Sequence, residues 1–200
     1  MSALPAENSS RARIFDAALT VFSRYGYRRA SMEAVAAEAN LSRQGLYRHY
    51  ASKEALFAAV IETMHDFVDA AAERALAEAR AAGKSSGEAL GAMVAAKIEA
   101  YATRMLGSAH AAELMEVSNR IGGAIIAARA AAAQAALAKA IAAERSAGRL
   151  TLKRGVTPAD LADLLTAASN GAKHGALAAP DVLGGRVRRI VMLMVDGARA

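Results

Sequence analysis

The stretch Ser31-Met-Glu-Ala-Val-Ala-Ala-Glu-Ala-Asn40-Leu-Ser42-Arg-Gln-Gly-Leu-Tyr-Arg-His49-Tyr-Ala-Ser52-Lys-Glu-Ala-Leu-Phe57 decides the fold. Each of its three serines stands where a helix N-cap is wanted. Ser31 opens a short helix over 32–39, with Val35, Ala36 and Ala39 facing inward. Asn40 ends it, because asparagine tolerates the left-handed region better than most residues. Ser42 then caps a second short helix over 43–49, and Ser52 starts a long one, with Glu54 favourably placed in its first turn. The two short helices, joined by Asn40-Leu41-Ser42, have helix-turn-helix proportions. Ala36 and Ala37 supply the small side chains needed where the helices cross, and Leu41 ties the turn to the core. Leu46 and Tyr50 fall on the inner face of the helix over 43–49. Arg43, Gln44, Tyr47, Arg48 and His49 turn outward, and Gly45 leaves room for the backbone to approach a groove. Arginine pairs with guanine O6 and N7, and glutamine with adenine N6 and N7.

Upstream, Ile14, Ala18, Val21, Phe22 and Tyr25 recur at helical spacing and predict a helix over 10–25 that Gly26 ends. Downstream, Gly83 breaks the long helix, and Ser85-Ser86-Gly87-Glu88 reads as a capping box for a helix reaching about 106. A short helix over 109–119 and, after Gly122-Gly123, a long alanine-rich helix stopping at Gly148 are expected. Thr157-Pro158 caps a helix over 159–177 that Pro180 ends, and Val187, Ile190, Val191 and Met194 mark a last helix over 182–198. The expected class is all-α, with about nine helices and no strand.

Composition agrees. Of 200 residues, 55 are alanine and only 4% are aromatic, so helix propensity is high and the mean core side chain is small. The chain has no cysteine, which excludes a disulfide framework, a cysteine-ligated metal and a thiol nucleophile. No run of about 18 strongly apolar residues stands out. The stretch 124–143 comes nearest, and Arg129, Gln134 and Lys139 interrupt it. No transmembrane span is expected, and the first ten residues lack the regions of a secretory signal, so a cytoplasmic protein is expected. The mean hydropathy of +0.17 is high and hints at a buried oligomer surface.

The net charge is +6, and it is unevenly spread. Between 11 and 53 lie Arg11, Arg13, Arg24, Arg28, Arg29, Arg43, Arg48 and Lys53 against Asp16, Glu33 and Glu38 only, whereas the remainder is nearly neutral. This is a basic head on a neutral body, drawn to an anionic partner.

The segments Arg13-Ile-Phe-Asp-Ala-Ala, Phe22-Ser-Arg-Tyr-Gly, Asn40-Leu-Ser-Arg-Gln-Gly-Leu-Tyr-Arg-His-Tyr and Ser52-Lys-Glu-Ala-Leu-Phe together resemble the DNA-binding domain of TetR-family transcriptional regulators. The resemblance covers about residues 10–57. It departs from the family pattern at Asn40, where glycine is commoner, and at Tyr50, where phenylalanine is. It implies an N-terminal three-helix DNA-binding domain, 1–52, followed by a helical ligand-sensing and dimerisation domain, 53–200. It also implies that Ser42, Arg43, Gln44 and Tyr47 contact bases or nearby phosphates, with Tyr47 and His49 pointing at the backbone, while Arg48 is readable equally as a phosphate contact or a surface ion pair. Lys53 would clamp a phosphate beside the free N–H groups of its helix. Ser31 and Met32 resemble backbone-contacting positions, and Arg28 and Arg29 add phosphate or minor-groove contacts.

For the body, the resemblance implies a homodimer through the last two helices, and the sequence supports this. Ala168, Gly171, Ala172 and Gly175 allow close approach beside a leucine stripe, and the last helix is apolar around most of its circumference. Leu161, Leu165, Ala168, Ala172, Val187, Val191 and Met194 are the expected interface, and Leu165→Glu or Val191→Glu is expected to give monomers. The resemblance also implies an inducer pocket, with Met64, Phe67, Met93, Tyr101, Met105, Met115 and Asn119 as candidate lining. Each of these is equally readable as ordinary core. His65, Lys97, Arg104 and His110 are the polar groups available. A mostly apolar lining predicts a small hydrophobic or amphipathic inducer.

No catalytic residue, metal site or cofactor is expected. The four histidines, His49, His65, His110 and His174, are scattered, and no phosphate-binding glycine loop follows a strand. The expected function is a ligand-responsive repressor binding a palindromic double-stranded DNA operator as a dimer, with no enzyme activity and no membrane partner. The competing expectation is a helical architectural protein that counts phosphates without reading sequence.

Overall fold

The computed structural model describes residues 6–105, 108–172 and 180–200, except for the side chains of 6–9, 105, 180 and 181. Among the described residues it is all-α, with eight helices and a single isolated antiparallel bridge between Leu152 and Arg199. The helices are α1 (Ala6–Arg29), α2 (Met32–Glu38), α3 (Arg43–His49), α4 (Lys53–Ala81), α5 (Ser86–Met105), α6 (Ala111–Ser146), α7 (Pro158–Ala172) and α8 (Pro180–Ala198).

The expected stops and starts follow from local chemistry. Gly26 breaks α1 at φ 74°, and Gly83 and Gly148 end α4 and α6 with similarly positive φ. Ser85 and Glu88 close a reciprocal capping box: the Glu88 N–H donates to Ser85 Oγ at 3.2 Å, and the Ser85 N–H donates to Glu88 Oε2 at 2.9 Å. Thr157 and Asp160 form a second box at the start of α7. Pro180, expected only to end a segment, is the first residue of α8, where a missing N–H costs nothing. The end expected for the preceding helix at 177, like His174, lies outside the described residues.

One boundary is corrected. The expected short helix over 109–119 and the alanine-rich helix after Gly122-Gly123 are a single 36-residue helix, α6. Gly122 is there for space. A Cβ built on it would lie 2.5 Å from Ile61 Cδ1, so the missing side chain lets α6 approach α4 without a break. A second correction concerns apolarity. An 18-residue window of α6 has mean hydropathy 1.5, which by length and composition alone suffices to cross a membrane, and only 11% of that window is buried.

The chain forms two compact units, residues 1–65 with 107–126, and residues 66–106 with 127–200. The core of the first is built on Ile14, Phe22, Leu46 and Leu56, all essentially inaccessible. It includes an aromatic triad in which Phe57 meets Phe22 edge-on at 5.0 Å and Tyr27 at 4.9 Å between ring centroids. In the second unit α5 and α7 pack on α8, around Leu90, Leu161, Leu165, Leu183, Val187 and Val191. At its edge sits a buried carboxylate. Glu144, 1% exposed, accepts hydrogen bonds from Arg80 Nε (2.8 Å), Ser86 Oγ (2.8 Å), Arg149 Nε (2.9 Å) and Arg149 Nη2 (3.0 Å).

Candidate nucleic-acid interface

The presentation of α3 begins with its cap. Ser42 Oγ accepts the Gly45 N–H at 3.0 Å, as Ser31 Oγ accepts the Ala34 N–H at 3.1 Å at the head of α2. Between them Asn40 takes the left-handed conformation at φ 54°, and the Leu41 N–H donates back to the Ala36 carbonyl at 2.8 Å, closing the turn. Leu46 is fully buried and pins α3 to the core. That anchor leaves Ser42, Arg43, Gln44, Tyr47, Arg48 and His49 exposed together on the opposite face. Gly45 is not on that face. It is buried, and a Cβ there would come within 3.2 Å of Ser42 Oγ, so its glycine protects the cap and gives no clearance toward a groove.

Arg43 is not loose. Its Nε lies 2.7 Å from Glu33 Oε1 across the turn, and its guanidinium carbon stands 5.5 Å from the Tyr47 ring centroid. Glu33 is held below the usual carboxylate range, chiefly by its backbone hydrogen bond at the start of α2 and also by Arg43. Arg43 is raised by the Tyr47 hydroxyl and then by Glu33. The sequence reading missed this cluster, because Glu33 and Arg43 are ten residues apart. The available signal was that each is the second residue after a capping serine or the first, so the turn brings both helix starts together.

Other expected contacts are placed differently. Lys53 Nζ donates to the carbonyls of Tyr27 (2.9 Å), Ala30 (3.0 Å) and Arg28 (3.4 Å), and sits 4.6 Å from the Tyr27 ring centroid. Its three N–H donors meet carbonyls at and just beyond the end of α1, so the ammonium caps that helix. Met32 is buried and can offer only its backbone, and the Ser31 hydroxyl oxygen caps its own helix while its O–H remains a donor. Arg29 is exposed; Arg28 is exposed as well, its N–H donating to Glu113 Oε1 at 2.8 Å and its guanidinium 3.8 Å from Glu116. Glu54 and burial together push Tyr27 up to about 12, burial being the larger cause.

The ligand candidates are divided between the two units. Met64 is buried in the first unit, and Met115 and Asn119, in the same unit, are exposed. In the second unit Met93 is buried, and Phe67 and Tyr101 are half-buried. Arg104 stacks over the Phe67 ring at 3.7 Å, and Lys97 pairs with Asp69. The Met105 side chain lies outside the described residues. Among the described residues no cluster of three His, Asp or Glu could hold a metal ion.

Most of the dimer candidates lie inside the chain's own core. Leu161, Leu165, Val187 and Val191 are at most 2% exposed and Ala172 is buried, because their faces of α7 and α8 close the subunit's own core. Glutamate at 165 or 191 would break that core before it separated subunits. Ala168 and Met194 are half-buried, and among the described residues the large exposed apolar side chains of these helices are Leu164, Val182 and Leu193.

A serine-capped pair of short helices that buries Leu46 and exposes Arg43 and Gln44 is a helix-turn-helix of the kind that docks a recognition helix in DNA. Residues 14–60 match the family model described as bacterial regulatory proteins, tetR family. Over 54 residues the chain is 43% identical to the HTH-type transcriptional repressor SCO4008 of Streptomyces coelicolor, covering 27% of this chain and 28% of that protein. Over 56 residues it is 39% identical to the A-factor receptor protein of Streptomyces griseus, covering 28% and 20%. The chain thus spans about a quarter of the length of the curated relatives it matches. Among solved structures, one described as the molecular basis for control of antibiotic production by bacterial hormones aligns over 96% of this chain and 98% of its own, at TM-score 0.64 and 25% identity. A SmeT–triclosan complex aligns over 95% and 90%, at TM-score 0.61 and 23% identity, and shares the fold.

Proposed function

We propose that the chain is a ligand-responsive transcriptional repressor that binds a palindromic double-stranded operator as a homodimer. The observation that carries this reading is the exposed α3 face of Ser42, Arg43, Gln44, Tyr47, Arg48 and His49, presented on a buried Leu46 anchor within the most basic part of the chain. Residues 1–52 are the reading head and 53–200 the sensing and dimerising body. Arg43 and Gln44 read base edges. Ser42, Tyr47, Arg48, His49, Arg28 and Arg29 hold phosphates, and the first N–H groups of α2 beside Ser31 and Met32 add backbone contacts.

A single recognition helix reads too little sequence, and two helices roughly 34–36 Å apart along the duplex solve this. The exposed Leu164 and Leu193, beside Ala168 and Met194, are the faces of α7 and α8 on which a second copy packs. The body senses a small hydrophobic or amphipathic inducer through Phe67, Met93 and Tyr101. The SmeT–triclosan complex, a ligand complex on the same fold, supports a sensing body. Inducer and operator then weaken each other's binding by the same factor. The chain works in the cytoplasm and catalyses nothing.

Selection of bound duplexes from a random pool, followed by competition titration, tests the reading. A recurring palindrome bound at least roughly 10³-fold better than random duplex is expected. Equal binding to all sequences replaces the regulator with an architectural protein.

A further inference from the structure

Arginine presents five N–H donors in two forks, one pairing Nε with an Nη and the other pairing the two Nη groups. Either fork can meet guanine O6 and N7, so an unrestrained arginine reaches its base in several poses and loses rotamer freedom when it does. In this head the choice is already made. Glu33 Oε1 holds Arg43 Nε at 2.7 Å, and Tyr47, one turn further along α3, lies under the guanidinium with its ring centroid 5.5 Å away. The carboxylate takes Nε, the Tyr47 hydroxyl is a further partner of the guanidinium, and the carboxylate itself leaves the Nη pair unheld. Both side chains of the pair are more than half exposed, so this is not a buried ion pair holding the fold together. Exposed pairs of this kind add little stability. What the arrangement does fix is the direction of one side chain in the middle of the face proposed to read DNA.

We propose that Glu33 is a positioning residue for base readout: by holding Arg43 through Nε it fixes the direction in which the Nη groups point and so pre-orders Arg43 for guanine. The inference rests on the reading of α3 as the recognition helix and adds a residue on α2 that touches no base. Glu33 is an acid on a DNA-facing surface, where bulk electrostatics alone would favour its removal. The buttress accounts for its presence at the first turn of α2. Glu38, on the same helix, provides the contrast. It stands 3.9 Å from Arg24, a looser contact that fixes no fork.

The test measures base preference position by position, using the best selected duplex and its single-base-pair variants in competition titrations. Wild type is expected to prefer guanine at one position per half-site, and Arg43→Ala to abolish the preference there alone. Glu33→Ala is expected to reduce that same preference by about tenfold, leaving other positions unchanged. Glu33→Gln retains an acceptor for Nε and is expected to keep most of it. Glu38→Ala, which removes equal charge from the same helix, is expected to shift affinity for every duplex alike. If Glu33→Ala behaves like Glu38→Ala, raising or lowering all affinities with guanine preference intact, Glu33 acts only as charge and the proposal is wrong. If Glu33→Gln relaxes the preference as fully as Glu33→Ala, holding Nε in place is not what matters, and the proposal fails too. An Arg43→Ala protein with wild-type preference, or a wild type with no preference anywhere, overturns the reading of α3 itself. Those outcomes appear in the Arg43 or wild-type measurements, before Glu33 is compared.

Discussion

Glu144 is the place where a single substitution should be felt most in the second unit. The side chain is 1% exposed, and its carboxylate takes four hydrogen bonds from Arg80, Ser86 and Arg149. Those donors, Arg149 foremost and Ser86 and Arg80 after it, outweigh burial and hold the carboxyl at about 2, against an ordinary 4.5. At 1.36 kcal/mol per unit this corresponds to about 3 kcal/mol of pH-dependent stability, and the half-exposed Arg149 brings it nearer 2–3 kcal/mol. The folded value is depressed, so this stability is fully present above about pH 5 and is lost as pH falls toward 2. Glu144→Gln keeps the shape, removes the charge and leaves two guanidinium groups facing a neutral amide. In a chain of this size about 2–4 °C follows each kcal/mol, so the variant should melt roughly 5–10 °C below wild type at pH 7. The gap should shrink to less than half by pH 3, where the wild-type carboxyl is losing its own advantage. Thermal melts by circular dichroism at both pH values read this directly. A Glu144→Gln variant melting within about 1 °C of wild type at pH 7, or showing an undiminished gap at pH 3, would refute the argument.

Lys53→Met keeps the aliphatic stem but strips the Tyr27, Arg28 and Ala30 carbonyls of their donor, and should cost about 2 kcal/mol in denaturant titrations. Leu193→Glu or Leu164→Glu should leave the melting temperature nearly unchanged and give monomers by light scattering. Val191→Glu, placed in the core, should instead lose folded protein by circular dichroism. Gly122→Val should lower stability by about 1–3 kcal/mol through crowding of Ile61, and Ile61→Ala in the same chain should recover part of it in paired melts.

The head was legible because its signals are local. Ser31, Ser42 and Ser52 each cap within three residues, and Asn40 carries its own reason for the turn. The capping box at Ser85 and Glu88 was legible for the same reason. What sequence could not supply were contacts between distant residues. Gly122 reads as a break until Ile61 is seen beside it. Val191 and Leu193 are both apolar and two residues apart, and periodicity alone does not say which faces its own core. Lys53 looks like any basic residue at a helix start until the end of α1 is found beneath it. Of the partners of Glu144 only Arg149 is near in sequence, and Arg80 and Ser86 come from a distant stretch, so its neighbourhood alone does not mark it as buried.

The inward turn of Lys53 also alters what the basic head can do in salt. The dependence of binding on ionic strength counts the phosphates that side chains neutralise, with a slope of about −0.9 per contact. An ammonium committed to the carbonyls of Tyr27, Arg28 and Ala30 releases no counterion from the duplex. Counting charges along residues 11–53 therefore overstates the number of ions exchanged. A Lys53→Met protein held below its melting temperature should bind DNA with the same slope of log K against log salt as wild type.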